Sequence, residues 1–295
     1  MKFKSFIVSI CLIIIGCKSN THYDSKISQL EETSIIDLVP NSQKKGLQWL
    51  LKNMDKDDKN LLSTGFLIDN CNYAYEAWDS TPWGSVDDSL FFEYILPFSS
   101  LNERRDNWRQ DFYERFFPIV KNAKSASEAA AILNNNIFEM VGVIYSTKRP
   151  KADQSPYESI EAGLASCTGL SFMLIDACRS VGIPARFVGT PMWYNNSGNH
   201  SWVEIWDNGW HFTGAFEPTG DRLNEGWFAS LAARAVEGHP EYGIYAATWK
   251  KTGVFFPMDW KPGIEKYYAY DVTSSYQKYL DDNFVPLRIK VVGKN

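Results

Sequence analysis

His-Ser-Trp-Val-Glu-Ile-Trp, residues 200–206, runs through Asp-Asn-Gly, residues 207–209, into Trp-His-Phe-Thr-Gly-Ala-Phe-Glu-Pro, residues 210–218. The alternation before Asn208-Gly209 reads as a strand with one buried face, and Asn-Gly is the strongest short-range hairpin signal. A return strand is expected from Trp210 to about Glu217, ended by Pro218. A two-residue turn at Asn208-Gly209 sets Asp207 opposite Trp210. Carried along both strands without a bulge, this register places His200 opposite Glu217 on one side of the sheet, with Cβ atoms about 4.5–5.5 Å apart. A carboxylate there accepts from one ring nitrogen of His200, fixes the tautomer and leaves the other nitrogen as a base. One inserted residue would send the two side chains to opposite faces.

A partner for that base lies upstream. Ser166-Cys167-Thr168-Gly169 opens a helix whose residues Leu170, Met173, Leu174, Ala177, Cys178 and Val181 form one buried stripe, with Gly182 and Pro184 as its stop. Cys178 falls on the stripe and reads as a small core hydrophobe. Cys167, in the first turn, meets unsatisfied backbone N–H groups and the positive end of the helix dipole. Such positions, and pairing with histidine, lower a thiol pKa from about 8.5 to between about 3.5 and 7.5. The same N–H groups can stabilise an oxyanion. Taken singly, each residue has a plain structural reading: a packed cysteine, a half-buried strand histidine, a strand-end glutamate. In this chain order and register they point together to a thiol site.

Other segments frame this unit. Leu47, Leu50, Leu51 and Met54 recur at helical spacing. Ser100-Leu-Asn-Glu103 is a capping box expected to open a helix that carries Trp108, Phe112 and Phe116 and stops at Pro118. Ser125 to Glu128 opens another helix running to about Met140, and Ser155-Pro156-Tyr157-Glu158 a short one ended by Gly163. Ala185–Val188 reads as a strand, Glu225 to Val236 as helical, and Val285 to Val292 as a closing strand.

The cysteine helix, Gly182-Ile-Pro-Ala-Arg186, His200-Ser-Trp202-Val-Glu204, Trp210 and Glu217 together resemble the pattern of the transglutaminase-like superfamily, over roughly residues 125–230. The resemblance implies an α+β fold of papain-like thiol architecture: a nucleophile-bearing helix packed on an antiparallel sheet, here preceded by a helical region. It implies Cys167 as nucleophile, His200 as general base and then acid, and Glu217 as orienting carboxylate where the family more often has Asp. Trp193 stands where some relatives carry a tryptophan that assists the oxyanion and walls the acyl tunnel. Arg186 is expected to brace the fold through a buried ion pair, and Asp207 to belong to the turn.

At its start the chain carries Lys2 and Lys4, the apolar run Phe6–Ile15 and Gly16-Cys17. The run is too short to span a bilayer as a mature helix and has the form of a secretory signal. Ile14-Ile15-Gly16-Cys17 resembles the bacterial lipobox, which implies cleavage of residues 1–16 and lipidation of Cys17. The expected organisation is then a polar tether over 17–42, a helical region over 43–124, the catalytic core over 125–230 and a mixed extension over 231–295. Lys18 is not the Asp that favours inner-membrane retention, so the expected location is the outer membrane of a bacterium. The remaining cysteines, Cys71, Cys167 and Cys178, are odd in number, which leaves at least one thiol free in an oxidising compartment.

The 295 residues are 44% hydrophobic and 22% charged, a globular balance. The formal charge of −5 becomes −7 on loss of Lys2 and Lys4, with 28 basic against 35 acidic residues. Scattered Lys and Arg on such a surface argue against nucleic-acid binding. Four histidines without a His-Glu-x-x-His or paired Cys-x-x-Cys pattern give no expected metal site, and without a Gly-rich phosphate loop no cofactor is expected. The substrate expected from the resemblance is an amide of a peptide, protein or glycopeptide, attacked through a thioester. Hydrolysis and amine crosslinking stay open, with hydrolysis preferred because bacterial relatives of this type are often proteases or amidases. The alternative is a non-catalytic module binding glycans or peptides, motivated by 11 Trp and 15% aromatic residues.

Overall fold

The computed structural model describes residues 23–84 and 86–280. The expected signal segment, the lipidation site Cys17 and the expected strand 285–292 lie outside the described residues. No described helix is long and apolar enough to cross a membrane.

The N-terminal part is helical: α1 (Glu32–Ile36), α2 (Lys44–Asn53), α3 (Lys56–Leu61), α4 (Thr64–Ser80) and α5 (Asp88–Tyr94). The expected tether to residue 42 is corrected here. Ile27, Ile35 and Val39 are buried against Leu47, Leu50 and Leu51 of α2, and the Ile27 amide donates to the Leu62 carbonyl. At about 1.5–3 kcal/mol for each buried aliphatic side chain, three such residues suffice to dock an otherwise polar segment.

Next come α6 (Arg109–Val120), α7 (Ala126–Val141), β1 (Ile144–Tyr145), α8 (Pro156–Ala162), β2 (Leu164–Ala165) and α9 (Cys167–Ser180). The Ser125, Ser155 and Ser166 hydroxyls cap α7, α8 and α9, each accepting from the amide three residues on. Gly142 and Gly163, both left-handed, end α7 and α8. The expected helix from Ser100 is corrected: the Glu103 carboxylate does accept from the Ser100 and Leu101 amides, but within a loop, and the helix begins only at Arg109. Glu103 faces the buried Arg105 guanidinium, so the local bonds of a capping box serve a loop held by tertiary contacts. Pro118 does not stop α6, which runs two residues further to bury Val120.

A five-stranded antiparallel sheet follows, built from β3 (Ala185–Thr190), β4 (His200–Trp206), β5 (Trp210–Thr213), β6 (Tyr245–Thr248) and β7 (Tyr268–Asp271) in the order β5-β4-β3-β6-β7. Of the expected helical stretch 225–236 only α10 (Ala229–Ala232) is α-helical, and α11 (Thr273–Gln277) follows β7. Strands β6 and β7, on one side of the sheet, come from beyond residue 230, so the sheet does not end where the sequence resemblance ends.

Period-two alternation divides the sheet. Phe187, Val203 and Ile205 pack with α6, α7 and α9 in the main core, while Val188, Trp202 and Phe212 face Phe228 and Tyr276 on the other side. Helix α9 is buried from Thr168 to Ser180. The turn from it into β3 passes through Gly182 at φ 77°, where a Cβ would sit 2.8 Å from the Ala77 carbonyl oxygen. A cysteine-bearing helix packed on an antiparallel sheet, with helices first, is therefore the architecture.

Candidate active site

The Ser166 side chain accepts from the Gly169 amide at 3.1 Å and donates to the Ala152 carbonyl at 2.6 Å, holding the first turn of α9 in place. Cys167 is the first residue of that turn, half-buried at the end of an otherwise buried helix. Its sulfur lies beside the His200 ring and the backbone N–H groups of Ser201 and Thr168. Burial pushes the thiol up, but the His200 hydrogen bond and charge and the two N–H groups outweigh it, holding Cys167 below its ordinary value. Burial likewise pulls His200 down, and the Cys167 sulfur and Glu217 carboxylate reverse this, raising the imidazole to about 9. Sulfur and imidazole thus favour each other's charged forms.

The Nε2 of His200 lies 3.5 Å from Glu217 Oε2. The structure brings Cys167, His200 and Glu217 together, but not by the expected register. Trp206 pairs with Trp210 and Val203 with Thr213, so the hairpin loop is three residues, Asp207-Asn208-Gly209, and the register is one residue off. Asn208 takes φ 56°, and the Asp207 side chain accepts from the Ser127 amide at the start of α7 instead of joining the ladder. Strand β5 also ends at Thr213, well before Glu217. A second tight turn returns the chain: Glu217 N donates to the Gly214 carbonyl at 3.1 Å, and Phe216 adopts φ 65°.

Asn134 of α7 ties that turn down. Its amide donates to Thr213 Oγ1 and the Gly214 carbonyl, and its oxygen accepts from the Phe216 amide at 2.9 Å. Gly214 is needed for space: a Cβ there would lie 2.3 Å from Glu217 Oε2. The carboxylate folded over it accepts from Trp227 Nε1 at 2.9 Å, while His200 Nε2 makes no hydrogen bond. Contact between His200 and Glu217 is thus an ion-pair separation, and the short bond belongs to the indole.

Aromatic rings enclose the imidazole. Trp227 and Phe228 lie 4.9 and 4.8 Å from it, centroid to centroid, and Trp202 lies nearly parallel at 5.8 Å. Trp193 is buried 6.2 Å from the His200 ring and stacks on Trp202, so it walls the histidine side of the site. Arg186 is engaged elsewhere, in a buried ion pair with Glu204 at 2.6 Å, its guanidinium over the Trp210 ring at 3.8 Å. Cys71 and Cys178 are buried and their thiols pushed up by burial, unlike Cys167.

Sequence reasoning missed Asn134, Gly214 and Trp227. Nothing local distinguishes an asparagine in a helix or a glycine after a strand. Only Trp227, exposed and aromatic beside Phe228, carried a signal, and that signal was not specific. Among the described residues no cluster of three or more His, Cys, Asp or Glu is placed to hold a metal.

Residues 115–215 match the family model of the transglutaminase-like superfamily, a span from within α6 to just past β5 that includes Cys167 and His200 and stops two residues before Glu217. No curated protein matches the chain. A similar solved structure is that of a "putative cysteine protease" from Cytophaga hutchinsonii, 18% identical, with a TM-score of 0.36. That match covers 49% of this chain and 47% of the other, so this chain spans about half the length of that relative. The cysteine helix, the first strands of the antiparallel sheet and the matched segment lie in one piece of structure, and over residues 115–215 this chain is similar to the transglutaminase-like superfamily.

Proposed function

We propose that the protein is a cysteine enzyme acting on amide bonds of peptides, proteins or glycopeptides, with Cys167 as nucleophile, His200 as acid and base, and Glu217 as the carboxylate orienting the imidazole. The observation that carries this reading is the sulfur of Cys167 beside the His200 ring at the N-terminus of α9, with Glu217 Oε2 3.5 Å from Nε2 of the same ring. The thiolate attacks the carbonyl carbon, and the C–N bond breaks as His200 gives its proton to the leaving amine. A thioester on Cys167 results. Water, or an amine, then gives a proton to His200 and attacks the thioester, regenerating the thiolate and imidazolium. The N–H groups of Thr168 and Ser201, already turned toward the sulfur, are candidates to hold the oxyanion. Lipidation at Cys17 would hold this site at the bacterial envelope, on the outer membrane.

One observation favours a non-catalytic peptide- or glycan-binding module: Glu217 is hydrogen-bonded to the Trp227 indole and not to His200. Mass-spectrometric trapping separates the two readings. Incubation with a peptide library is expected to leave an acyl adduct on Cys167 that is absent from Cys167→Ala. No adduct, together with a Cys167 that reacts with iodoacetamide only above about pH 8 and at a rate unchanged in His200→Ala, would overturn the enzyme.

A further inference from the structure

A cleft of about 480 Å³ lies where α2 and α3 meet β6, β7 and the Ser99–Leu101 loop, and none of Cys167, His200 and Glu217 lines it. Its electrostatics run against the rest of the molecule. The chain carries −5 formally, yet five lysines and Arg105 line this cleft against only Asp55 and Asp58. Part of that charge is neutralised locally: Arg105 pairs with Asp58, Lys266 with Asp55 and Asp57, and Lys59 with Glu32. Among the described residues Lys52 and Lys251 make no ion pair and Lys56 feels only the charge of Asp57, so positive charge is left over at the cleft.

The wall holds a second, independent feature. Ser100 is 5% exposed and its hydroxyl has no hydrogen-bond partner. A buried hydroxyl left unsatisfied is a cost to the fold and calls for a reason. A merely solvated lysine face requires no such group beneath it. Two half-buried aromatic residues complete the lining: Trp249, stacked on Trp49, and Tyr268, stacked on Phe255.

We propose that this cleft binds an acidic saccharide, a sugar bearing carboxylate or phosphate groups, at a site separate from the thiol. The volume falls in the range of small-ligand pockets, about 300–1,000 Å³. Lysines, as strongly hydrated point charges, suit a hydrated anionic sugar better than they suit planar bidentate pairing. Trp249 and Tyr268 offer ring faces for the pyranose, and the Ser100 hydroxyl offers a partner for a sugar oxygen. A concave site with a buried hydroxyl fits a single ligand ring better than a flat lipid surface.

Calorimetric titration of the full chain at low salt tests this, with digalacturonate and glucose 6-phosphate as probes and maltose, inorganic phosphate and phosphatidylglycerol vesicles as controls. At least one acidic sugar is expected to bind, and the tighter of the two names the anionic group. Affinity is expected to fall at least about tenfold in Lys52→Ala/Lys251→Ala and on raising the salt, and severalfold in Ser100→Ala, with the melting temperature of the exposed-lysine double variant unchanged. Failure of both sugars to bind, or binding unaltered in the double variant, would overturn the proposal. Maltose, phosphate or the vesicles binding as tightly as the acidic sugar would overturn it too. Iodoacetamide reactivity of Cys167 is expected to be the same in every variant, so the outcome is independent of the catalytic reading.

Discussion

Glycine 214 is bare because Glu217 occupies the volume where its Cβ would stand, 2.3 Å from Oε2. Gly214→Ala must push the carboxylate off the histidine, and kcat/KM is expected to fall at least about tenfold, in keeping with the contributions of positioned acid–base groups, while the far-ultraviolet circular dichroism is unchanged. The charge state makes a separate prediction. Cys167 is held below its ordinary value and His200 is raised to about 9, so a thiolate–imidazolium pair is favoured between the two titrations. A pH profile of kcat/KM should rise as the thiol ionises, below the ordinary thiol range, and fall near about 9 as the imidazolium loses its proton. Glu217 raises the histidine, so Glu217→Gln removes a raising influence and should move the alkaline limb to lower pH. An unmoved limb would dissociate Glu217 from the imidazole. At neutral pH iodoacetamide should modify Cys167 and spare Cys71 and Cys178, whose thiols burial pushes upward; peptide mapping checks this.

At the scale of elements, α9 is both a central buried helix and the carrier of Cys167, so its cap acts on stability and on the candidate site together. Ser166→Ala removes the acceptor for the Gly169 amide and should cost about 1 kcal/mol in urea unfolding, with loss of Cys167 reactivity as its first turn loosens. The β3–β4 pairing sets Arg186 opposite Glu204, where both are buried and Tyr276 donates to the same carboxylate. Arg186→Met strands a buried charge and is expected to destabilise by about 3–5 kcal/mol, whereas Arg186→Met with Glu204→Gln should recover part of the loss. A double-mutant cycle showing no coupling would contradict the ion pair as the brace.

Across the whole molecule, the sheet closes only with β6 and β7, and Tyr276 beyond them donates to Glu204 and accepts from Trp202 at 2.7 Å. A chain cut after residue 240 loses two of five strands and uncovers Trp202, Phe212 and Phe228. It is expected to lack a cooperative thermal transition, even though it contains the whole of the segment matched at 115–215. The same logic holds at the other end, where Ile27, Ile35 and Val39 seal the α2 face.

Local chemistry was legible where a few adjacent residues settle the matter. Ser125, Ser155 and Ser166 announce their helices because capping is a bond across three residues, and β4 begins and ends where its alternation does. Cys167 at a helix start and His200 at a strand start follow from those elements, and from the pattern shared with the superfamily. The meeting of His200 and Glu217 did not follow from the ladder, since a three-residue loop and the early end of β5 broke the register that predicted it. Only the folded chain produced it: Asn134, some eighty residues away in sequence, clamps the Gly214–Glu217 turn, Gly214 leaves the space, and Trp227 takes the short hydrogen bond. The Ser100 capping box erred for the same reason, because buried Arg105 and Glu103 claimed its bonds for a loop. Sequence alone determined which chemical groups stand at the ends of which elements, since caps and alternation are short-range. Tertiary structure alone decided how their side chains meet, since that depends on packing between segments no local pattern relates.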